Sequence, residues 1–443
     1  MGRAGAGLVL GVALCLASLV ADAANILEIY RLARDNDPKW RAAGFDYEAS
    51  AETRAQARAA LLPTVTFEQE HIRTDQNVLY SNNPIFGLGQ SRYATDGQVL
   101  TITQPLFRMA LWSRLVQSEV VVKQAAATHA AAEQELMLRV ASVYLGALAA
   151  RDGLALAVAE RDAIGKQLDL AQARLDRGLG TVSNLYDARS RYAVTEAREI
   201  EARFKLLDAN QALREITGKS IEAINPLRDT IPLSAPEPAS VEQWVETAEK
   251  QNWRLEARRQ NAEVAREEIR RQRAGHAPTV NLVGTNNYRR AGGTVFGGGA
   301  HTETRDLSIR LAVPIFEGGA TTSLTREAVA RHSKALEELE FERRLLDRQT
   351  RAAYQGVLSG INLVKALNNT VAAQEKAVET KDEGRKAGLF TLMPVLDATR
   401  DLYFARRDYA QARYDYLLNR LRLKEAAGTL GEEDLAAINM LLQ

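Results

Sequence analysis

Two acidic residues occupy matching positions in segments that occur once in each half of the chain. Residues 178–189 read GLGTVSNLYDAR and residues 388–400 read GLFTLMPVLDATR, so Asp187 and Asp397 each lie nine positions after an opening glycine. A carboxylate can pair with an arginine, and a ring of carboxylates around a narrow opening selects for cations. The repetition predicts a duplicated element that presents an acid at a fixed point.

Other groups that could do covalent or metal chemistry are isolated. The five histidines have no partner at metal-ligand spacing. The glycine-rich segment 292–299 lacks the Gly-Lys-Ser/Thr ending of a phosphate loop, so we interpret it as a loop between strands. The acids at 432–434 fit the start of a short final helix. We expect no catalytic residue, no metal and no cofactor, and therefore no enzyme.

The N-terminal segment has the pattern of a secretory signal peptide. Arg3 precedes an apolar run over 8–20, and Ala21 and Ala23 supply small residues at the −3 and −1 positions. The run is short for the roughly 20 residues of a spanning helix. We predict cleavage after Ala23, which also removes Cys15, the only cysteine.

Charge and hydropathy narrow the classes further. Lys and Arg number 57 against 56 Asp and Glu, so no net field attracts nucleic acid, and no nucleic-acid partner is expected. After the signal peptide, no segment has 18 uninterrupted apolar residues, so helical membrane spans are not expected. Membrane contact would then require β-strands.

Two proline-free tracts, 107–225 and 315–393, have helical patterns. From Leu136 to Leu175 the spacing alternates between four and three, which is typical of a coiled-coil seam. At 1.5 Å per residue the tract 107–177 would be about 105 Å long. The sequence therefore predicts an elongated rod.

Period-two alternation marks four strands, in 61–69, 99–103, 278–284 and 306–315. The intervening stretches, 74–96 and 289–304, are rich in Asn, Gly, Ser and Thr and are predicted to be loops.

The two halves repeat one plan, because four sequence anchors recur in the same order. The predicted organisation is a signal peptide 1–23, a first repeat 24–225 (helix, β-hairpin 61–107, long helical hairpin with its tip near 178), a Pro-rich linker 226–240, a second repeat 241–430 (β-hairpin 278–316, tip near 388) and a short C-terminal helix 431–443.

Four strands cannot close a barrel, and open edges are not tolerated in lipid. Three copies would supply twelve strands, an even number within the range of outer-membrane barrels. The predicted fold class is mixed: a membrane β-barrel plus a long α-helical coiled-coil barrel, built as a trimer of four-strand protomers that form one 12-stranded barrel. A β-domain that caps a coiled coil without a membrane is the alternative.

The motifs Leu62-Pro63-Thr64-Val65, Gln104-Pro105-Leu106-Phe107 and the two Gly-Leu tips resemble the TolC family of outer-membrane efflux and secretion ducts, over essentially the whole mature chain. The resemblance implies a non-enzymatic homotrimer in the lipid of the Gram-negative outer membrane, with a helical tunnel across the periplasm. Substrates would arrive from an inner-membrane ABC or proton-driven transporter through a periplasmic adaptor.

The resemblance also assigns roles at the two tips. Gly178 and Leu179, with Gly388 and Leu389, are the expected adaptor contacts. Glycine commonly ends a helix in left-handed conformation, so an ordinary helix cap is the simpler interpretation of the glycines alone.

At the pore entrance the chain departs from the family pattern. Of two aspartate rings in the family, the matching positions hold Pro394 and Asp397, so one ring is missing. The inner-hairpin latch residues match Arg385 and Phe390. Their partners match Ser183 and Asn184, so the family latch is not preserved.

The two repeated acids have different expected roles. Asp397 is predicted to face the pore and favour cations. Asp187 is predicted to form a structural salt bridge at the tip, for example with Arg189. A periplasmic scaffold or adaptor without a pore remains the alternative function. The sequence leaves open whether the cargo is a protein toxin, a small drug or both.

Overall fold

The computed structural model describes residues 23–82, 88–293 and 298–443. The signal peptide prediction lies outside this part of the chain except for Ala23. The elements in chain order are α1 Ile26–Asn36, α2 Pro38–Ala59, β1 Thr64–Val78, β2 Gly89–Arg108, α3 Met109–Asp176, α4 Val182–Thr217, α5 Val241–Gln251, α6 Trp253–Arg273, β3 Thr279–Ala291, β4 Ala300–Ala312, α7 Ala320–Lys386, α8 Leu392–Ala426 and α9 Glu432–Asn439.

The four strands form one antiparallel sheet in the order β1-β2-β3-β4. One row of partners across all four strands is Val65, Ile102, Gly284 and Leu307. Within the described protomer, β1 and β4 each have a neighbour on one side only. The sheet therefore ends in two open edges.

The strands extend well into the segments predicted as loops. β1 continues to Val78 and β2 starts at Gly89, while β3 continues to Ala291 and β4 starts at Ala300. The loop prediction was wrong for 74–78, 89–96, 289–291 and 300–304, which are mostly polar on both faces and therefore lack the alternation signal. Backbone hydrogen bonds between strands need no such alternation.

Apolar side chains on one face of the sheet are exposed to the surroundings of the protomer. Val65 and Phe67 are each 63% exposed, and Leu307 and Ile309 are 78% and 71% exposed. The register places them on the same face, since side chains alternate along a strand and partners in one row share a side. A contiguous apolar face of this kind requires a partner or lipid.

The long helices pack side by side, with α3 in a central position. α3 contacts α4 and α8 in the half that leads to the tips, and α2 and α6 in the half next to the sheet, while α7 packs against α8 and α6. With 68 residues, α3 is about 100 Å long at 1.5 Å per residue. Among the described helices, α3 alone contains an 18-residue window apolar enough by length and composition to cross a membrane, and 33% of that window is buried.

A belt, formed by α1, α5, α9 and the non-helical residues 220–240, surrounds the middle of the helical layer; α1, α9 and the segment near Asn225 cover one face of α3, and α5 packs against α7. The Tyr144 hydroxyl lies 3.2 Å from the carbonyl oxygen of Ala24 and 3.1 Å from that of Asn225. Tyr416 accepts a hydrogen bond from the Ser234 amide at 3.0 Å. The predicted linker therefore packs against the helices, and this packing leaves the opposite face of α3 uncovered by the belt.

Candidate functional site

Both long helical hairpins turn through the same backbone motif. At the end of α3, the Leu179 amide donates to the Arg174 carbonyl at 2.8 Å, and at the end of α7 the Leu389 amide donates to the Gly384 carbonyl at 2.7 Å. Gly178 and Gly388 precede them with φ of 68° and 80°. These are Schellman caps, in which a residue without a Cβ takes the left-handed conformation.

The leucine that follows each glycine is presented to the outside. Leu179 is 68% exposed and Leu389 is 77% exposed. The αL geometry fixes where each leucine projects, so both tips display one large apolar side chain on a rigid turn. Two such side chains at the free ends of the hairpins form a candidate contact surface.

The helices that leave the two tips begin differently. Thr181 caps α4, because its hydroxyl accepts a hydrogen bond from the Asn184 amide at 3.3 Å. The equivalent residue, Thr391, makes no cap bond. The matching third residue of α8 is Pro394, which has no N–H to donate. This substitution explains the uncapped start of α8.

Phe390 is seated on the last turn of α7. Its ring occupies the space that a Cβ on Gly384 would need. Beside it, the Arg385 guanidinium donates to Asp382 of its own helix at 2.8 Å. A cavity of about 150 Å³ between the tips is lined by Asn184, Arg385 and Phe390, among others.

Three of the four residues at the family latch positions, Asn184, Arg385 and Phe390, thus line one cavity. Among the described residues, no side-chain hydrogen bond connects Arg385 with Ser183 or Asn184. Ser183 is exposed and does not line the cavity. The absence of the family latch remains a sequence-based prediction for the assembled entrance.

The ion pair expected for Asp187 belongs to Asp397 instead. Asp397 on α8 accepts a hydrogen bond from Arg191 on α4 at 2.6 Å, and Arg400 lies at 3.5 Å. Asp187 has no ion pair with any described residue, and Arg189 is exposed. Arg191, one turn further along α4 than Asp187, pairs with the second hairpin, and a salt bridge of Asp187 remains a prediction for the assembled entrance.

Arg191 and Asp397 form the first of three layers between α4 and α8. Seven residues further along both helices, the Arg198 guanidinium stacks on the Phe404 ring with its Cζ 4.5 Å from the centroid. Another seven residues bring Lys205 and Gln411 to the walls of an open space. The sequence offered a signal for these layers, since both helices carry the residues at heptad spacing.

The second layer rests on a buried carboxylate of α3. Glu160 is 5% exposed and accepts a hydrogen bond from Arg198 at 2.8 Å. Burial raises the pKa of Glu160, and the charge of Arg198 opposes that shift. Next to it, Arg161 on α3 pairs with Glu199 on α4 at 2.5 Å, so two reciprocal ion pairs fasten α3 to α4.

Comparison with known proteins places the chain in a family. The family model described as "Outer membrane efflux protein" matches residues 29–219 and 244–429. The outer membrane protein TolC of Vibrio cholerae is 32% identical over 94% of this chain and 93% of its own length. The proteases secretion protein PrtF of Dickeya chrysanthemi is 31% identical over 96% and 93%.

The fold is shared with solved channel structures. The CmeC outer membrane channel of Campylobacter jejuni superposes with a TM-score of 0.79, at 14% identity, over 95% of this chain and 90% of that one. The four-stranded sheet with long helical hairpins is therefore the fold of a channel protomer, as the predicted fold class requires. The chain belongs to the outer membrane efflux protein family and is an outer-membrane exit duct for efflux or type I secretion.

Proposed function

We propose that three copies of this chain form the duct, with β4 of each copy paired to β1 of the next. The observation that carries the proposal is the sheet with two open edges and an exposed apolar face. In lipid, the edges must be paired and the apolar face can remain exposed. Three copies close twelve strands into one barrel.

The helices support the same assembly. α4 lies at one side of the helical layer and exposes Ile200, Phe204 and Leu207, which are 57%, 66% and 54% exposed. Their four-then-three spacing is that of a coiled-coil seam without its partner. A helix of the next copy would cover this seam.

The duct is proposed to take its cargo from an inner-membrane ABC or proton-driven transporter through a periplasmic adaptor. Leu179 and Leu389 are the proposed adaptor contacts, because they are exposed on rigid turns at the free ends of the hairpins. In a trimer, three copies of each tip would surround one entrance.

Asp397 is proposed to act on the tunnel side of the entrance, held by Arg191. Arg191 lies seven residues before Arg198 on α4, and Asp397 lies seven residues before Phe404 on α8, so both layers are on the same side of these helices. These layers pack over the Glu160 face of α3. The belt covers the opposite face of α3, which supports placing the tunnel on the side of the layers.

Planar-bilayer recording of the purified protein tests the proposal. We expect a trimer with a small conductance, and a larger, less cation-selective conductance for Asp397→Ala. A monomeric protein without conductance, in both the wild type and Asp397→Ala, would contradict the duct and favour the scaffold. A trimer whose ion selectivity is unchanged in Asp397→Ala would remove Asp397 from the tunnel wall.

A further inference from the structure

An open space lies along the middle of α3, between the second and third layers of α4 and α8. Its volume is about 720 Å³, which is within the range of roughly 300–1,000 Å³ that is typical of ligand sites. We call it the α3 groove. Its lining includes Gly146, Gly153 and Glu160 of α3, Arg198 of α4, and Tyr403 and Phe404 of α8.

The groove faces away from the belt. Tyr144 is bonded to the belt, and Gly146 lies two residues further, about 200° around a helix with 3.6 residues per turn. Gly153 and Glu160 follow at heptad intervals on the same side. In the proposed trimer the groove therefore opens into the tunnel.

The floor of the groove is empty because it consists of small residues. No atom lies within 4 Å of a Cβ built on Gly146 or on Gly153. The neighbouring helix positions on this face are mostly alanines. The space is therefore not needed by any side chain of the described protomer.

The walls supply aromatic surface and balanced charge. Phe404 lies between the guanidinium groups of Arg198 and Arg407, whose Cζ atoms are 4.5 Å and 4.9 Å from the ring centroid. Among the described residues, none forms a hydrogen bond with the Tyr403 hydroxyl. The lining carries three cations and three acids, so the groove offers no net charge to a ligand.

We propose that the α3 groove is a binding site for uncharged, partly aromatic organic molecules of drug size that pass through the duct. This inference rests on the proposed function, because the groove must open into the tunnel. The apolar floor would bury the aromatic part, and the Tyr403 hydroxyl and the arginines would meet polar substituents. A charged ligand would displace one of the existing ion pairs and gains no compensating field.

The test uses the full-length trimer in lipid nanodiscs and chloramphenicol, an uncharged and water-soluble nitroaromatic compound, in equilibrium dialysis. We expect saturable binding with three sites per trimer. Gly146→Leu and Gly153→Leu place side chains in the empty floor without a clash and should weaken binding at least tenfold. Ala126→Leu, on an exposed part of the same helix, is the matched control and should bind like the wild type.

Tyr403→Phe provides a milder variant that keeps the ring, and we expect a two- to fivefold loss of affinity. A conducting trimer that binds chloramphenicol without saturation, or equally well with both floor leucines, would overturn the groove as a site but leave the duct intact. If an unfolded aromatic peptide binds saturably and chloramphenicol does not, the small-molecule site is also overturned, and a polypeptide cargo is favoured. Loss of the trimer or of conductance in the wild type would instead contradict the proposed function.

Discussion

The two hairpin tips share a backbone and differ in almost every side-chain interaction. Gly178 and Gly388 have the same left-handed conformation, and the amides after them close the same bonds. Among the residues that the structure describes, the second tip alone has an aromatic ring packed on a glycine at the turn, and of the two acids Asp397 alone has an ion-pair partner. The two tips therefore share their backbone conformation, whereas their side-chain contacts differ.

The backbone turn depends on local sequence, whereas the contacts around it depend on neighbouring helices. The Schellman cap depends on one residue without a Cβ, and both long hairpins reverse through it. An ion pair depends on a partner from another helix, and the two acids have different neighbours. Asp397 meets α4, whereas no described residue pairs with Asp187.

The largest expected effect tests the shared feature. Replacing Leu179 and Leu389 together by Asp puts charges where apolar contacts with an adaptor are proposed, and hot-spot residues of this kind cost about 2–4 kcal/mol. We expect export by cells that carry the cognate transporter to fall by more than tenfold, with normal trimer and conductance. Export at the wild-type level would remove both leucines from the adaptor contact.

We expect the Asp397–Arg191 ion pair to favour the closed entrance, and Asp187 to have no such effect. An exposed ion pair contributes about 0.2–1 kcal/mol, so the loss of three Asp397–Arg191 pairs should raise the open-to-closed ratio by roughly 3- to 150-fold. Asp397→Ala should show this in single-channel recordings. Asp187→Ala, the matched control without a partner, should not change gating.

Exchanging the two charges distinguishes an effect of the Asp397–Arg191 ion pair from an effect of the Asp397 side chain by itself. The double variant Asp397→Arg with Arg191→Asp should recover most of the closed state that Asp397→Ala loses. If the double variant is open as often as Asp397→Ala, the ion pair does not hold α4 and α8 together.

The smallest effect concerns the start of the two outgoing helices. An N-cap hydroxyl is worth about 1 kcal/mol, so Thr181→Ala should speed hydrogen exchange in the first turn of α4 by roughly fivefold. Thr391→Ala should leave exchange at the start of α8 unchanged, because the Thr391 side chain makes no cap bond. Equal acceleration at both sites would mean that the two caps are equivalent.

The fold could be predicted from sequence wherever a periodic pattern carried the information. The long helices followed from heptads and the absence of proline, and the strand cores from period-two alternation. The strand ends could not be predicted, since the residues beyond Arg73 and before Arg305 lost the apolar face while keeping their backbone partners. Alternation reports the environment of a strand, and pairing can extend past it.

By itself the sequence determined the duplicated plan, the two glycine turns and the leucines that follow them, because each depends on local backbone preference. Only the tertiary structure decided which acid is paired, since Arg191 and Asp397 lie on helices far apart in the chain. It also decided that the small residues of α3 leave an open groove, because the space over Gly146 and Gly153 is defined by where α4 and α8 lie. Local preference fixes the turns, whereas charge partners and empty volume arise from packing between distant segments.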